Sequence, residues 1–260
     1  MNVLLTGAAG QIGVMLRERL PSHGVQLRLF DREPLAGGVA GDIADATALD
    51  AAFPGVEAVV HLAGQSTEAS WPDVRDANIE GTFQLFEAAR RHGVPRIVYA
   101  SSNHAVGFTP RGIEEVPADT PPRPDTLYGV SKVFGEALGR YYSDRYDMQV
   151  ACLRIGTCAT RPPDYRSLAT WLSPDDCARL VHAALTAPDL TYALVWGISA
   201  NTRRWWSLDA GRAIGYEPLD DAEAFAGHLS AGRDQPRPSD DLVGGGFTTD
   251  DFGIDDVAAR

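Results

Sequence analysis

Over residues 3–156 the chain switches repeatedly between short apolar runs and stretches of helical spacing. VLLTG (3–7), VQLRLFD (25–31), EAVVHLAG (57–64), RIVYASS (96–102) and QVACLRIG (149–156) read as buried strands. Between them, QIGVMLRERL (11–20), ATALDAAF (46–53), VRDANIEGTFQLFEAARRHG (74–93) and YGVSKVFGEALGRYYSDRY (128–146) place apolar residues at helical intervals. Strands this apolar need cover on both faces, and a helix after each one supplies it, so the pattern predicts a doubly wound parallel sheet. Gly93 is a good C-cap for the long helix. Residues 103–127 form a loop rich in Pro and Gly. After Gly156 the rhythm loosens into a helix (174–187), a strand (192–199) and two short helices near 206–214 and 221–229. The Gly- and Asp-rich last thirty residues are expected to be extended. Residues 1–156 are thus the expected core of the sheet. Residues 157–260 complete the sheet and add a cap and tail within one structural unit.

The first strand runs into GAAGQIG, with glycines at 7, 10 and 13, and a helix follows at once. Gly7 suits the tight turn, Gly10 lets backbone approach a pyrophosphate, and Gly13 lets helix and strand pack closely. Free N–H groups at the start of the helix, around Gln11 and Ile12, suit phosphates. Asp31 ends the second strand, where a carboxylate accepts hydrogen bonds from ribose hydroxyls and repels a 2′-phosphate. Arg32 beside it is a residue type that accommodates that phosphate, and Asp31 also suits an ordinary turn. The balance predicts NAD on a Rossmann-type sheet. Asp42 and Ile43 follow a short possible strand; Asp42 either reaches the adenine or caps the next helix. Leu62, Ala63 and Gly64 end the third strand beside the expected cofactor, and Ile155 ends the strand at 149–156. His61 reads as a packed strand residue. Asn78 either braces the cofactor pocket or bonds its own helix face.

Composition removes several alternatives. A net charge of −12 and a pI near 4.9 oppose nucleic-acid binding, which draws on basic groups meeting phosphates. The acidity fits a solvated surface or a salt-loving host. Three cysteines lack CxxC spacing and six histidines lack metal-ligand pairing, so neither a disulfide framework nor a metal site is expected. No apolar run reaches the roughly 18 residues of a membrane helix, and the start lacks a basic signal-peptide region, so a cytoplasmic protein is expected. The aromatic and basic run NTRRWW (201–206) reads as a packed cap or subunit interface.

Lys132 is the only lysine among 23 Lys and Arg residues, and it lies four residues after Tyr128 on one helix face. A free tyrosine has a pKa of about 10, while a base for alcohol oxidation works best nearer the operating pH. A neighbouring cation favours phenolate. Lysine supplies a compact charge with three donors, where the planar fork of arginine is larger and differently directed. SSNH (101–104) ends the preceding strand at the ligand crevice. Ser101 and Ser102 point opposite ways, so one of them faces the site.

These motifs together, over roughly residues 1–230, resemble the extended short-chain dehydrogenases/reductases, the family that contains sugar-nucleotide epimerases. ASSNHAVGF (100–108), RPDTLYGVSK (123–132), RIGTC (154–158), PPDYRSLATWLSPDD (162–176) and VWGISAN (195–201) are similar to its uronate dehydrogenase group. The resemblance implies NAD-dependent oxidation of D-glucuronate or D-galacturonate at C1 to the aldarolactone. It implies Tyr128 as base, Lys132 lowering the tyrosine pKa and holding the nicotinamide ribose, and Ser102 orienting the hydroxyl. It implies Ser66, Asn103, His104 and Thr157 on the sugar and Arg166 on its carboxylate; serine is usual at position 157 in that motif. A solvated Arg166 and a satisfied loop His104 are the plainer alternatives. The expected partner is a small-molecule uronic acid, with no nucleic acid and no membrane; a homo-oligomer is expected, although the sequence does not fix the oligomeric state. A sugar-nucleotide epimerase or dehydratase is the competing enzyme. About a hundred residues after Gly156 leave little room to grip a nucleotide diphosphate, and Asn103-His104 stands where dehydratases carry Asp-Glu. A non-catalytic NAD-sensing regulator is the competing non-enzyme.

Overall fold

The computed structural model describes residues 1–112, 114–229 and 238–252. In chain order the strands and helices are β1 (Asn2–Thr6), α1 (Gln11–Arg19), β2 (Gln26–Asp31), β3 (Val39–Ala40), α2 (Ala46–Ala52), β4 (Ala58–His61), α3 (Trp71–Val74), α4 (Gly81–Arg91), β5 (Arg96–Ser102), α5 (Leu127–Tyr146), β6 (Gln149–Ile155), β7 (Thr157–Cys158), α6 (Ser167–Thr170), β8 (Trp171–Leu172), α7 (Pro174–Thr186), β9 (Tyr192–Gly197) and α8 (Asp209–Ala213). Seven strands form one sheet in the order β3-β2-β1-β4-β5-β6-β9, and every pairing is parallel. The winding reverses between β1 and β4, and such a reversal opens a crevice at the carboxyl ends of the strands.

Two apolar cores flank the sheet because strand side chains alternate faces. Val3 and Leu5 of β1 join Val98 and Ala100 of β5 on one side, with Leu16 of α1 and Val181 of α7 over them. Leu4, Ile97 and Tyr99 point to the other side, where Leu49 of α2, Leu85 and Phe86 of α4 and Tyr142 of α5 cover them. This is the doubly wound α/β architecture that the alternating pattern predicts.

The helix expected over 74–93 is interrupted. A π-helical segment, Arg75–Glu80, separates α3 from α4. Such segments recur at functional sites, and this one buries Asn78. Asn78 Oδ1 accepts from the Gln65 N–H at 2.6 Å, and its Nδ2 donates to the Gln65 carbonyl at 3.1 Å and to Ser131 Oγ at 2.9 Å. Asn78 therefore braces the loop after β4 and does not bond its own helix face.

The C-terminal third continues the sheet through β9 and caps its end. Trp206 stacks on Trp196 of β9 at 4.4 Å, while Arg203 and Arg204 pair with Glu223 and Glu115. NTRRWW is thus packed cap. The tail departs from expectation: Pro238–Asp241, Gly245–Thr248 and Asp250–Phe252 are 3-10 turns and not extended chain. They lie back on the loop after β5, with the Val243 N–H on the Thr109 carbonyl and the Gly244 N–H on the Gly107 carbonyl at 2.9 and 2.8 Å. The rest of the expected extended tail, 231–237 and 253–260, lies outside the described residues. Among the described residues no helix is long and apolar enough to cross a membrane.

Candidate active site

A cleft of about 580 Å³ lies across the carboxyl ends of β1, β2, β4, β5 and β6. Gly7, Gly10, Gln11, Ile12, Asp31, Asp42, Ile43, Leu62, Ala63, Gly64, Ser66, Ser102, Asn103, His104, Tyr128, Lys132 and Ile155 all line it. Gly13, Asn78, Thr157 and Arg166 are not among the residues that line it.

On one side the turn from β1 to α1 forms a cradle. Gly7 has φ +69°, and a Cβ there would lie 2.7 Å from the Ala63 amide nitrogen. A Cβ on Gly13 would collide with the Gly7 carbonyl and with Ala8 backbone, so Gly13 works by close packing behind the cleft. Gly10 is the N-cap of α1 and offers no capping side chain, which leaves the first N–H groups of the helix open to an anion. Asp31 Oδ2 accepts from the Ala9 N–H at 2.8 Å and Oδ1 from the Glu33 N–H at 3.0 Å. A carboxylate is thereby fixed at the end of β2, with Arg32 on the same rim. Uncapped helix N–H groups, glycine-lined backbone and this carboxylate fit a dinucleotide. Asp45, not Asp42, caps α2, since Asp45 Oδ1 accepts from the N–H groups of Thr47 and Ala48. Asp42 bonds the Ala44 N–H at 2.9 Å and faces the cleft. Beneath, His61 lies between Thr6 and Thr82 at 2.8 and 3.2 Å. Burial pulls its pKa down to about 3, so it stays neutral.

On the other side, Thr126 caps α5 by accepting the Gly129 N–H at 2.9 Å, and the first turn carries Tyr128. Glu68 from the loop after β4 accepts the N–H groups of Leu127 and Tyr128 at 3.2 and 2.7 Å. It ties the stretch containing Ser66 to the helix that presents the tyrosine. Ser101 donates to Glu136 at 2.6 Å, away from the tyrosine. Ser102 lines the cleft with Tyr128, its Oγ accepting from the His104 N–H at 3.2 Å and donating to Asn103 Oδ1 at 3.4 Å. Behind both, Arg154 makes a bidentate pair with Glu136, both contacts 2.8 Å, deep beneath the site.

Lys132 Nζ donates to the Ala100 carbonyl at 2.9 Å and lies 5.3 Å from the Tyr128 ring centroid. The tyrosine pKa moves opposite to the expected depression. Burial pushes Tyr128 up to about 12, the Ser102 hydroxyl pulls the other way, and Asp125 raises it further. Burial also lowers Lys132 to about 8, with Glu136 opposing. With its ammonium turned to the Ala100 carbonyl, the lysine does not offset the desolvation of the phenol.

Asn103 Nδ2 donates to the Val243 carbonyl at 2.9 Å, and Arg166 Nη2 donates to the same oxygen. Arg166 is half-buried, and its Nε is sealed from solvent with no hydrogen-bond partner. It is therefore not a solvated surface charge, although it does not line the cleft. Burial lowers its pKa, while Asp164, Asp240 and Asp125 act in the opposite sense. Thr157 is outside the cleft lining, and its hydroxyl meets Thr170 Oγ1 at 3.2 Å. His104 is satisfied at Nδ1, which meets Asp125 Oδ2 at 2.8 Å, and its ring also lines the cleft. Glu68, Asp125 and Val243 were not reached from sequence. Asp125 lies inside the distinctive run RPDTLYGVSK, which was the available signal.

Residues 3–165 match the model of the NAD dependent epimerase/dehydratase family. The chain is 46% identical to a uronate dehydrogenase of Agrobacterium fabrum over 248 residues, 93% of each chain. It also superposes on a variant uronate dehydrogenase of Agrobacterium tumefaciens complexed with NAD, with TM-score 0.90 and 44% identity over 97% of this chain and 98% of that one. A glucuronic acid dehydrogenase of Chromohalobacter salexigens superposes with TM-score 0.89 and 40% identity over 95% and 96%.

Proposed function

The chain belongs to the NAD dependent epimerase/dehydratase family, and from that premise we propose that it oxidises a free hexuronic acid at C1 to the aldarolactone with NAD. The observation that carries the site assignment is one cleft in which the phosphate cradle of α1 and the Ser102–Tyr128–Lys132 group lie together. Gly7, Gly10 and the first turn of α1 hold the pyrophosphate, Asp31 holds the adenosine ribose, and Lys132 reaches the nicotinamide ribose. NAD, when bound, supplies the acceptor for the hydride that leaves C1.

The chain's own residues manage the proton. Ser102 orients the C1 hydroxyl toward Tyr128, and the Tyr128 oxygen takes its proton as the C1–O bond becomes a carbonyl. The Ser102 hydroxyl favours the phenolate, against the burial that disfavours it. Arg166 clamps the substrate carboxylate through charge-assisted bonds, exchanging its bond to the Val243 carbonyl for one to substrate. Asn103, His104 and Ser66 take sugar hydroxyls. The three free cysteines agree with a reducing cytoplasm. Exposed Phe83, Tyr141 and Tyr146 on α4 and α5 agree with a homo-oligomer.

The test is absorbance at the NADH band with NAD and, in turn, D-glucuronate, D-galacturonate and UDP-glucuronate. Turnover of the free uronates is expected, lowered about 1000-fold in Lys132→Arg, whose planar fork cannot replace the ammonium. Turnover of UDP-glucuronate alone would replace this reading with a sugar-nucleotide enzyme.

A further inference from the structure

Asp125 lies two residues before the N-terminus of α5, and its side chain is wholly buried. It meets His104 Nδ1 with both oxygens, at 2.8 and 3.1 Å, and accepts from Thr126 Oγ1 at 3.2 Å. The backbones of Gly107 and Gly244 close so tightly on the carboxylate that a Cβ on either would collide with it. The carboxylate thus cannot swing away from the imidazole. His104 lines the cleft, edge-on to the Tyr128 ring at 5.9 Å, with Phe247 against it at 4.3 Å.

A carboxylate only accepts hydrogen bonds, so Nδ1 must carry the hydrogen. In a neutral imidazole the other nitrogen, Nε2, is then an acceptor. We propose that Asp125 is a positioning residue that holds His104 as the Nδ1–H tautomer, so that Nε2 receives a hydrogen bond from a sugar hydroxyl. The inference rests on the uronate reading for the identity of the sugar, but not for the tautomer. Its consequence is selectivity by polarity. A group at that position that offers a hydrogen is accepted, and one that offers only lone pairs meets another lone pair.

Long-range ¹H–¹⁵N spectra of the full chain without sugar read the tautomer directly, with the His104 ring identified by its absence from His104→Gln. An Nδ1–H pattern is expected in the wild type, giving way in Asp125→Asn, whose amide can donate to Nδ1. Kinetically, Asp125→Asn is expected to raise KM for D-glucuronate about 10- to 100-fold with a smaller change in kcat. The KM effect should vanish in a His104→Gln background, because Asp125 acts through the ring. An Nε2–H pattern in the wild type, or an equal KM effect with and without His104, overturns the proposal. The wild-type spectrum decides even where Asp125→Asn does not fold. A wild type that turns over no uronate would sink the substrate reading and leave the tautomer result standing.

Discussion

The cofactor side of the cleft is delivered by regular elements. Gly7 to Ile12 come from one strand-to-helix turn, Asp31 from the end of β2, and Leu62 to Gly64 from just past β4. The sugar side is assembled from pieces with no common period. Asn103 and His104 come from a 3-10 turn, Asp125 from a loop, Arg166 from the stretch before α6, and the Val243 carbonyl from the tail. The first side is held by sheet register, the second by side chains reaching backbone. A site of this kind keeps its cofactor geometry under change while its substrate geometry responds to single contacts.

Replacing Gly13 tests the rigid side and should give the largest effect. Gly13→Val places a branched side chain where a bare Cβ already collides with the Gly7 carbonyl. Overpacking of this kind costs about 1–3 kcal/mol or more, and it distorts the turn that faces the phosphates. Calorimetry with NAD should show affinity lower by about 1000-fold. A change under tenfold would mean the cradle is softer than its packing indicates.

The next largest effect should isolate the sugar side. Arg166→Gln removes the cation proposed for the substrate carboxylate and should raise KM for D-glucuronate about 100-fold. NAD affinity should stay within about threefold, because Arg166 is not part of the cleft lining. Equal losses in both would show that the tail and the cradle are mechanically coupled.

This division also governs what the sequence can express. The α/β winding, the glycine turn and Asp31 follow from local periodicity and from sterics, so they can be read from residue order. The π segment at Arg75–Glu80 cannot, because one extra residue per turn barely disturbs an amphipathic average. The role of Val243 is carried by its carbonyl, which every residue possesses, and so leaves no mark in sequence. Asp125 and His104 are 21 residues apart and meet only because the loop after β5 turns back to α5. Tyr128 is the subtler case. Its spacing from Lys132 was legible, but the sign of its pKa shift depends on burial that spacing does not reveal.

That sign gives a pH dependence, smaller than either substitution. The base form of Tyr128 grows about tenfold per pH unit toward its raised pKa of about 12. The charged form of Lys132 falls by the same factor above about 8. Where both phenolate and ammonium are required, kcat/KM should climb below about pH 8 and level off above it. A profile flat below about pH 8 and falling above it would mean that the charged lysine alone limits the rate.

The smallest effect concerns Thr157, which the family resemblance places on the sugar and which the structure turns toward Thr170. With its hydroxyl 3.2 Å from Thr170 Oγ1 and no part in the cleft lining, its methyl group has little purchase on the substrate. Thr157→Ser should therefore keep the ratio of kcat/KM for D-glucuronate and D-galacturonate within about twofold, well under the ~1 kcal/mol of a lost buried contact. The two sugars differ in the configuration of one hydroxyl, so that ratio responds only to groups within reach of the ring. A shift of tenfold would place Thr157 at the sugar after all. It would also require β7 to rotate when substrate binds, which would make the sugar side still less rigid than its loops already indicate.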